Sequence, residues 1–182
     1  IKHLNILNNN ANGSVVLQGG DVHIAKIQAA GAGTLKLNEA DAKYKFGEIV
    51  LGADNQFSLA VHENAILKGP AEGSVNFGNT DNGLKSLDFT ADKNLTIENG
   101  INIYASKLNE NGVNNNGTLI FKGDSILSAK SDGQRINAIE VLGDGKTVTL
   151  LKDIKTQNDF TLSQNATLAV KGNVTARPAG GD

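Results

Sequence analysis

One five-residue pattern constrains this chain more than any other: a turn residue, a small polar residue, then apolar residues at the third and fifth positions. It is plainest at Gly117-Thr118-Leu119-Ile120-Phe121 and recurs at 13–17, 33–37, 55–59, 73–77, 93–97, 146–150 and 166–170. Successive copies begin 20, 22, 18, 20, 24, 29 and 20 residues apart. Apolar residues two apart lie on one side of a strand. A strand-bearing unit that repeats about every 20 residues cannot bury that side alone and must stack on its neighbours. The spacing therefore predicts an all-β fold, a parallel β-helix with coils of about 20 residues, in which the pentapeptide marks the register. An antiparallel β-sandwich is the alternative, and it would require sequential strands to pair with one another.

Composition narrows what such a solenoid can be. Aromatic residues make up 4% of the 182-residue chain, so its interior is expected to be stacked Leu, Ile and Val. The net charge is -2 with both signs dispersed, which leaves no basic stripe for nucleic acid. The chain has no cysteine, which excludes disulfides and thiolate metal sites. No apolar run approaches the ~20 residues of a membrane-spanning helix, so no membrane insertion by this segment is expected. The start at Ile1, without a signal-like segment, leads us to expect a piece of a longer polypeptide. Residues 1–177 are read as one β-helical body and 178–182 as an exit or linker.

The second coil shows three sides: Leu35 with Leu37, Tyr44 with Phe46, and Ile49 with Leu51, separated by polar or glycine corners. A helical turn over 38–45 competes there, because Glu39, Ala40, Ala42 and Lys43 are good helix formers. Asn99-Gly100 is a hairpin signal, yet the chain-wide period favours a solenoid corner. The loop from Asn109 to Gly117 is the most polar and is expected to protrude. The 29-residue spacing after it is assigned to an insertion at Ser131–Arg135. Stretches 55–69 and 158–172 also resemble each other, which suggests a larger duplicated unit.

Candidate chemistry is sparse. Gly143-Asp144-Gly145-Lys146-Thr147 ends like a phosphate-binding loop but has Glu140 where the first glycine belongs and a strand where the helix belongs. Glu39, Asp41 and Glu48 could supply oxygen ligands to calcium, although a solvated corner explains them as well. His3, His23 and His62 alternate with apolar residues and read as outward strand positions. Lys122-Gly123-Asp124, a tripeptide of a sort integrins can recognise, falls at a corner. No Gly-x-Ser-x-Gly elbow occurs. No enzyme activity and no cofactor is expected, and no catalytic or metal-binding residue is assigned. The contact loops are Asn109, Asn111, Asn114, Asn115 and Asn116 before the 117–121 strand, and Asp132, Gln134 and Arg135 after it.

The Gly-Thr-Leu rungs, the Asn-rich corners, the missing cysteine, and Gly33 to Leu37 followed by Ile49-Val50-Leu51-Gly52 and Ala53-Asp54-Asn55 resemble passenger domains of bacterial autotransporters. They are most similar to the surface cell antigens and outer membrane proteins A and B of Rickettsia, over essentially the whole chain. The resemblance implies a right-handed parallel β-helix, displayed on the bacterial surface and tethered through an outer-membrane barrel. It also implies a role in attachment to and entry into host cells through a host cell-surface protein. The open coil ends would permit end-to-end self-association. A β-helical carbohydrate-binding or polysaccharide-processing module of a secreted or phage protein is the alternative. Scarce aromatic residues, with no Trp and two Tyr, weigh against it.

Overall fold

A computed structural model describes residues 1–8, 12–53, 56–132 and 134–176. The turn at Asn9 and Asn10, the residues Asp54 and Asn55, Gly133 of the expected insertion, and the exit segment 178–182 lie outside the described residues. Eighteen strands and no helix occur among the described residues. Every ladder between named strands is parallel, and the one antiparallel pairing, Gly78 with Gly83, is an isolated bridge inside a loop. The sandwich alternative is thereby excluded and the solenoid established.

Each coil runs over three faces in a fixed order. The first stacks 21–24, 42–46, Ala65–Lys68, Asn94–Ile97, Thr118–Phe121, Ala138–Val141 and Thr161–Leu162. The second includes His3–Asn8, 26–29, 48–51, Val75–Phe77, 101–103, 125–127, Thr147–Leu150 and Thr167–Val170. The third stacks Ser14–Leu17, 32–37, Gln56–Val61, Leu84–Phe89 and 105–108, and ends on Ile154–Thr156 paired with Val174–Ala176. On the first face one column of registered residues descends through Val22, Tyr44, Leu67, Ile97, Phe121, Val141 and Leu162. Those seven levels span 140 residues in six steps, about 23 per turn.

The strands are continuous where the sequence suggested breaks. Tyr44 and Phe46, then Ile49 and Leu51, belong to a single strand, Ala42–Leu51, that bends at Gly47 between the first and second faces. A Cβ on Gly47 would come within 2.4 Å of the Ala25 carbonyl oxygen, so the bend can sit tightly on the coil before it. No helix forms over 38–45. Asp41 takes a left-handed φ of 56° and turns the chain into the strand instead. Asn99-Gly100 is a corner and not a hairpin, with Gly100 at φ 77° joining a first-face strand to a second-face strand.

The pentapeptide has a different meaning from the one its period suggests. Its copies lie on the third face at 14–17 and 34–37, the second at 75–77, the first at 94–97 and 118–121, and the second again at 147–150 and 167–170. It marks entry into a strand after any corner, not one file down the stack. Thr34 pairs with Ser58, so the coil partner of Gly33–Leu37 is 57–61, two residues beyond the copy read from the sequence. The 55–69 and 158–172 stretches likewise sit on different faces, which removes the larger duplication.

The interior is what the composition implies. Tyr44, Leu67, Ile97, Leu87, Phe89, Leu127 and Leu150 have no exposed surface. Each such side chain contributes about 1.5–3 kcal/mol of burial. Phe46 joins Tyr44 and Phe77 with ring centroids 6.2 and 5.8 Å apart, while Phe57, Phe89 and Phe121 are likewise buried in a mostly aliphatic core. The final coil is thinly covered, with Leu162 44% and Val170 41% exposed.

Candidate contact surface

The two segments expected to make contacts are neighbours in space. Both form the corner between third and first faces, one coil apart, and Arg135 joins them: its backbone N–H donates to Asn114 Oδ1 at 2.8 Å and its carbonyl accepts from the Asn115 N–H at 2.9 Å.

The Asn109 loop is fastened to the coils on either side of it. Asn109 is fully buried with φ 60°. Its Oδ1 accepts from the Phe89 N–H at 3.0 Å, and its Nδ2 donates to the Val113 and Arg135 carbonyls, each at 2.9 Å. One carboxamide thus links three successive coils. Asn116 N–H donates to the Val113 carbonyl at 3.2 Å, and Gly117 closes the loop at φ 86° directly against the Phe89 ring. Asn115 also takes a left-handed φ of 65°, and its Oδ1 is shielded from water without a partner. Asn109, Asn115 and Asn116 therefore shape the corner, while Asn111, Val113 and Asn114 are its exposed members.

Nor is Asp132–Arg135 an insertion. Phe121 pairs with Val141, a step of 20 residues and the shortest on the first face, whereas Leu67 to Ile97 takes 30. The extra length belongs to 69–83, which holds a polar loop where Asn79 Oδ1 accepts the N–H groups of Asp81 and Asn82. Asn82 Nδ2 in turn donates to the Leu51 and Gly52 carbonyls at 2.9 and 3.0 Å, satisfying the second face where its ladder is interrupted. Asp132 is held between Lys107 and Lys130, the latter at 3.0 Å, and these cations keep its carboxyl below the usual carboxylate range. Arg135 Nη1 donates to the Thr156 carbonyl at 3.2 Å, and Gln134 Nε2 reaches the Glu110 carbonyl at 3.5 Å. A shallow cleft of about 280 Å³ lies between Lys107, Glu110, Asp132 and Gln134.

Sequence reasoning missed a larger feature beside this corner. The outer side of the third face forms an open groove of about 630 Å³ over 32–37, Gln56–Val61 and Leu84–Phe89, with Asn111 at its lower rim. Outward-facing residues at its floor are unusually buried: Ser58 is 5%, Ala60 4% and Asp88 3% exposed. Ser86 Oγ lies 2.8 Å from Ser58 Oγ and donates to Asp88 Oδ2 at 2.6 Å, while the Asn111 N–H donates to Asp88 Oδ1 at 3.0 Å. The available signal was the placement of Ser58, Lys85 and Asp88 on successive coils, which only the correct register reveals.

The remaining candidates are structural. Asp124 accepts from the Thr147 N–H at 2.8 Å, which lowers its pKa and commits the Lys122-Gly123-Asp124 carboxylate to the corner. Gly145, φ 65°, makes Gly143-Asp144-Gly145 a turn into the strand Thr147–Leu150. Glu48 pairs with Lys26 at 3.1 Å, and no group of three acidic or histidine side chains among the described residues could hold a metal ion. His3 and His23 are exposed and His62 half-buried.

The chain is similar in sequence to outer membrane proteins of Rickettsia. It is 30% identical over 129 residues, 66% of the chain, to outer membrane protein B of Rickettsia japonica (strain ATCC VR-1363 / YH). It is 27% identical over 176 residues, 88% of the chain, to outer membrane protein B of Rickettsia prowazekii (strain Madrid E). It is 31% identical over 130 residues, 66% of the chain, to that of Rickettsia conorii (strain ATCC VR-613 / Malish 7). The chain spans 8 to 10% of the length of these relatives. No family model matches, and no solved structure matches. The chain thus resembles rickettsial outer membrane protein B, as its rungs and corners indicated.

Proposed function

We propose that this chain is a non-enzymatic segment of a bacterial surface protein, displayed on the cell as part of an autotransporter passenger, and that it acts as an adhesive stalk in attachment to and invasion of host cells. The similarity to outer membrane protein B over up to 88% of the chain carries this reading. The architecture supports it: a stack of strands about 4.8 Å apart makes a stiff rod of fixed length, and its outward surface is built from polar corners instead of a lidded pocket. Tethering would come from a membrane barrel elsewhere in the polypeptide. The partner is a host cell-surface protein, met at the corner formed by Asn111, Val113, Asn114, Asp132 and Gln134. Nucleic acid is a poor partner for a chain of net charge -2.

The test is saturable binding of the purified, labelled chain to cultured host cells, with competition by unlabelled chain. Specific binding that falls when Asn114→Ala and Gln134→Ala are combined supports the adhesive role. Absence of saturable binding would reduce the segment to a spacer, and cleavage of a defined glycan by the purified chain would overturn the non-enzymatic reading.

A further inference from the structure

We propose that the groove on the outer side of the third face is a binding site for an anionic polysaccharide, such as a uronate-bearing or sulfated chain laid along the solenoid axis. The inference stands on the groove itself and does not depend on the adhesive reading above.

Charge is the first argument. Lys36 and Lys85 line the groove, and neither makes an ion pair among the described residues, so both ammonium groups are open to a ligand. The single carboxylate there, Asp88, is already occupied by Ser86 and Asn111. No Phe, Tyr or Trp ring among the described residues lines the groove, so it has no stacking platform for a neutral sugar; what it offers a ligand is two uncommitted cations among hydroxyls and amides, a set suited to carboxylate or sulfate.

The fold excludes a common competitor. Strands 32–37, Gln56–Val61 and Leu84–Phe89 are each paired on both sides, so this face has no free strand edge to which an extended peptide could add. Its floor of Ser58 and Ala60 provides no apolar pocket for a side-chain anchor. Recognition must come from side chains presented at a step of about 4.8 Å between coils, close to the length of one pyranose unit. A linear glycan can therefore run down the outward column Thr34, Ser58 and Ser86, with Lys36 to one side on the upper coil and Lys85 to the other on the lower coil.

The experiment is calorimetric titration of the purified chain with heparin hexasaccharide and with hexagalacturonate, using maltohexaose as the neutral control. Two charge-matched variants are compared: Lys36→Ala with Lys85→Ala in the groove, and Lys43→Ala with Lys45→Ala on the exposed first face. All four are surface lysines, and circular dichroism checks that both variants fold. The proposal expects an anionic hexasaccharide to bind, maltohexaose not to bind, and the groove variant to weaken binding at least about tenfold while the first-face variant stays within about twofold. It is overturned if neither anionic hexasaccharide binds, if both variants weaken binding equally, or if maltohexaose binds as well.

Discussion

Single residues hold this stack together at its corners, and glycines with the same left-handed backbone are not equivalent there. Gly73 (φ 76°) faces open space, whereas a Cβ on Gly117 (φ 86°) would fall 2.0 Å from Phe89 Cγ. Gly73→Ala should cost about 1 kcal/mol, from backbone strain alone. Gly117→Ala should cost more than about 3 kcal/mol, because the buried Phe89 ring must move as well. Urea unfolding of the two variants separates these terms. Asn109→Ala strands the Phe89 N–H and two carbonyls and should cost about 3 kcal/mol by the same assay. His62 gives a pH signature. Burial, with Lys36 adding and Glu63 opposing, holds its imidazole below the ordinary 6.5. The unfolded chain therefore takes up a proton before the fold does. Stability is full above the ordinary value, falls as pH drops through it, and levels off below the folded pKa. His62→Gln should flatten that segment of the stability curve.

Strands explain both how far the sequence could be read and where it misled. Alternating apolar pairs such as Leu95 with Ile97 and Leu119 with Phe121 reported correctly that short strands bury one side, and the absence of helix followed. Register was not legible, because Gly-Thr-Leu is a local solution to leaving a corner and serves every face equally. Counting such copies mixed the faces, so an excess length was assigned to Ser131–Arg135 although it lies within 69–83. Asn109 was singled out for its polarity, yet a buried carboxamide linking three coils and an exposed contact residue look alike in one dimension. The groove was invisible for a related reason: Thr34, Ser58 and Ser86 form one outward column, flanked by Lys36 and Lys85, only once the coil lengths are known. The core columns also make unequal strands testable. Leu87→Ala in a fully buried central strand should cost about 3 kcal/mol, while Leu162→Ala, 44% exposed in the last coil, should cost less than about 1 kcal/mol. Hydrogen exchange should rank the same strands in the same order.

For the whole molecule, two properties follow from stacking: a thinly covered last described coil and a regular length. The last described coil presents Leu162 and Val170 beside strands paired on one side, a surface on which two copies of the purified chain could stack. If that surface associates, sedimentation should show a mass that rises with concentration, and Leu162→Lys combined with Val170→Lys should abolish the rise. Length tests the account most directly. Lys43, Ile66, Thr96, Ile120, Glu140 and Thr161 form one registered column on the first face, and the absence of native cysteine lets spin labels be placed there in pairs. Pulsed electron paramagnetic resonance from Lys43 to each later position should give backbone separations that grow by about 4.8 Å per coil, reaching about 24 Å at Thr161. Separations that fail to increase in this order would contradict the three-faced stack on which the contact corner and the groove both depend.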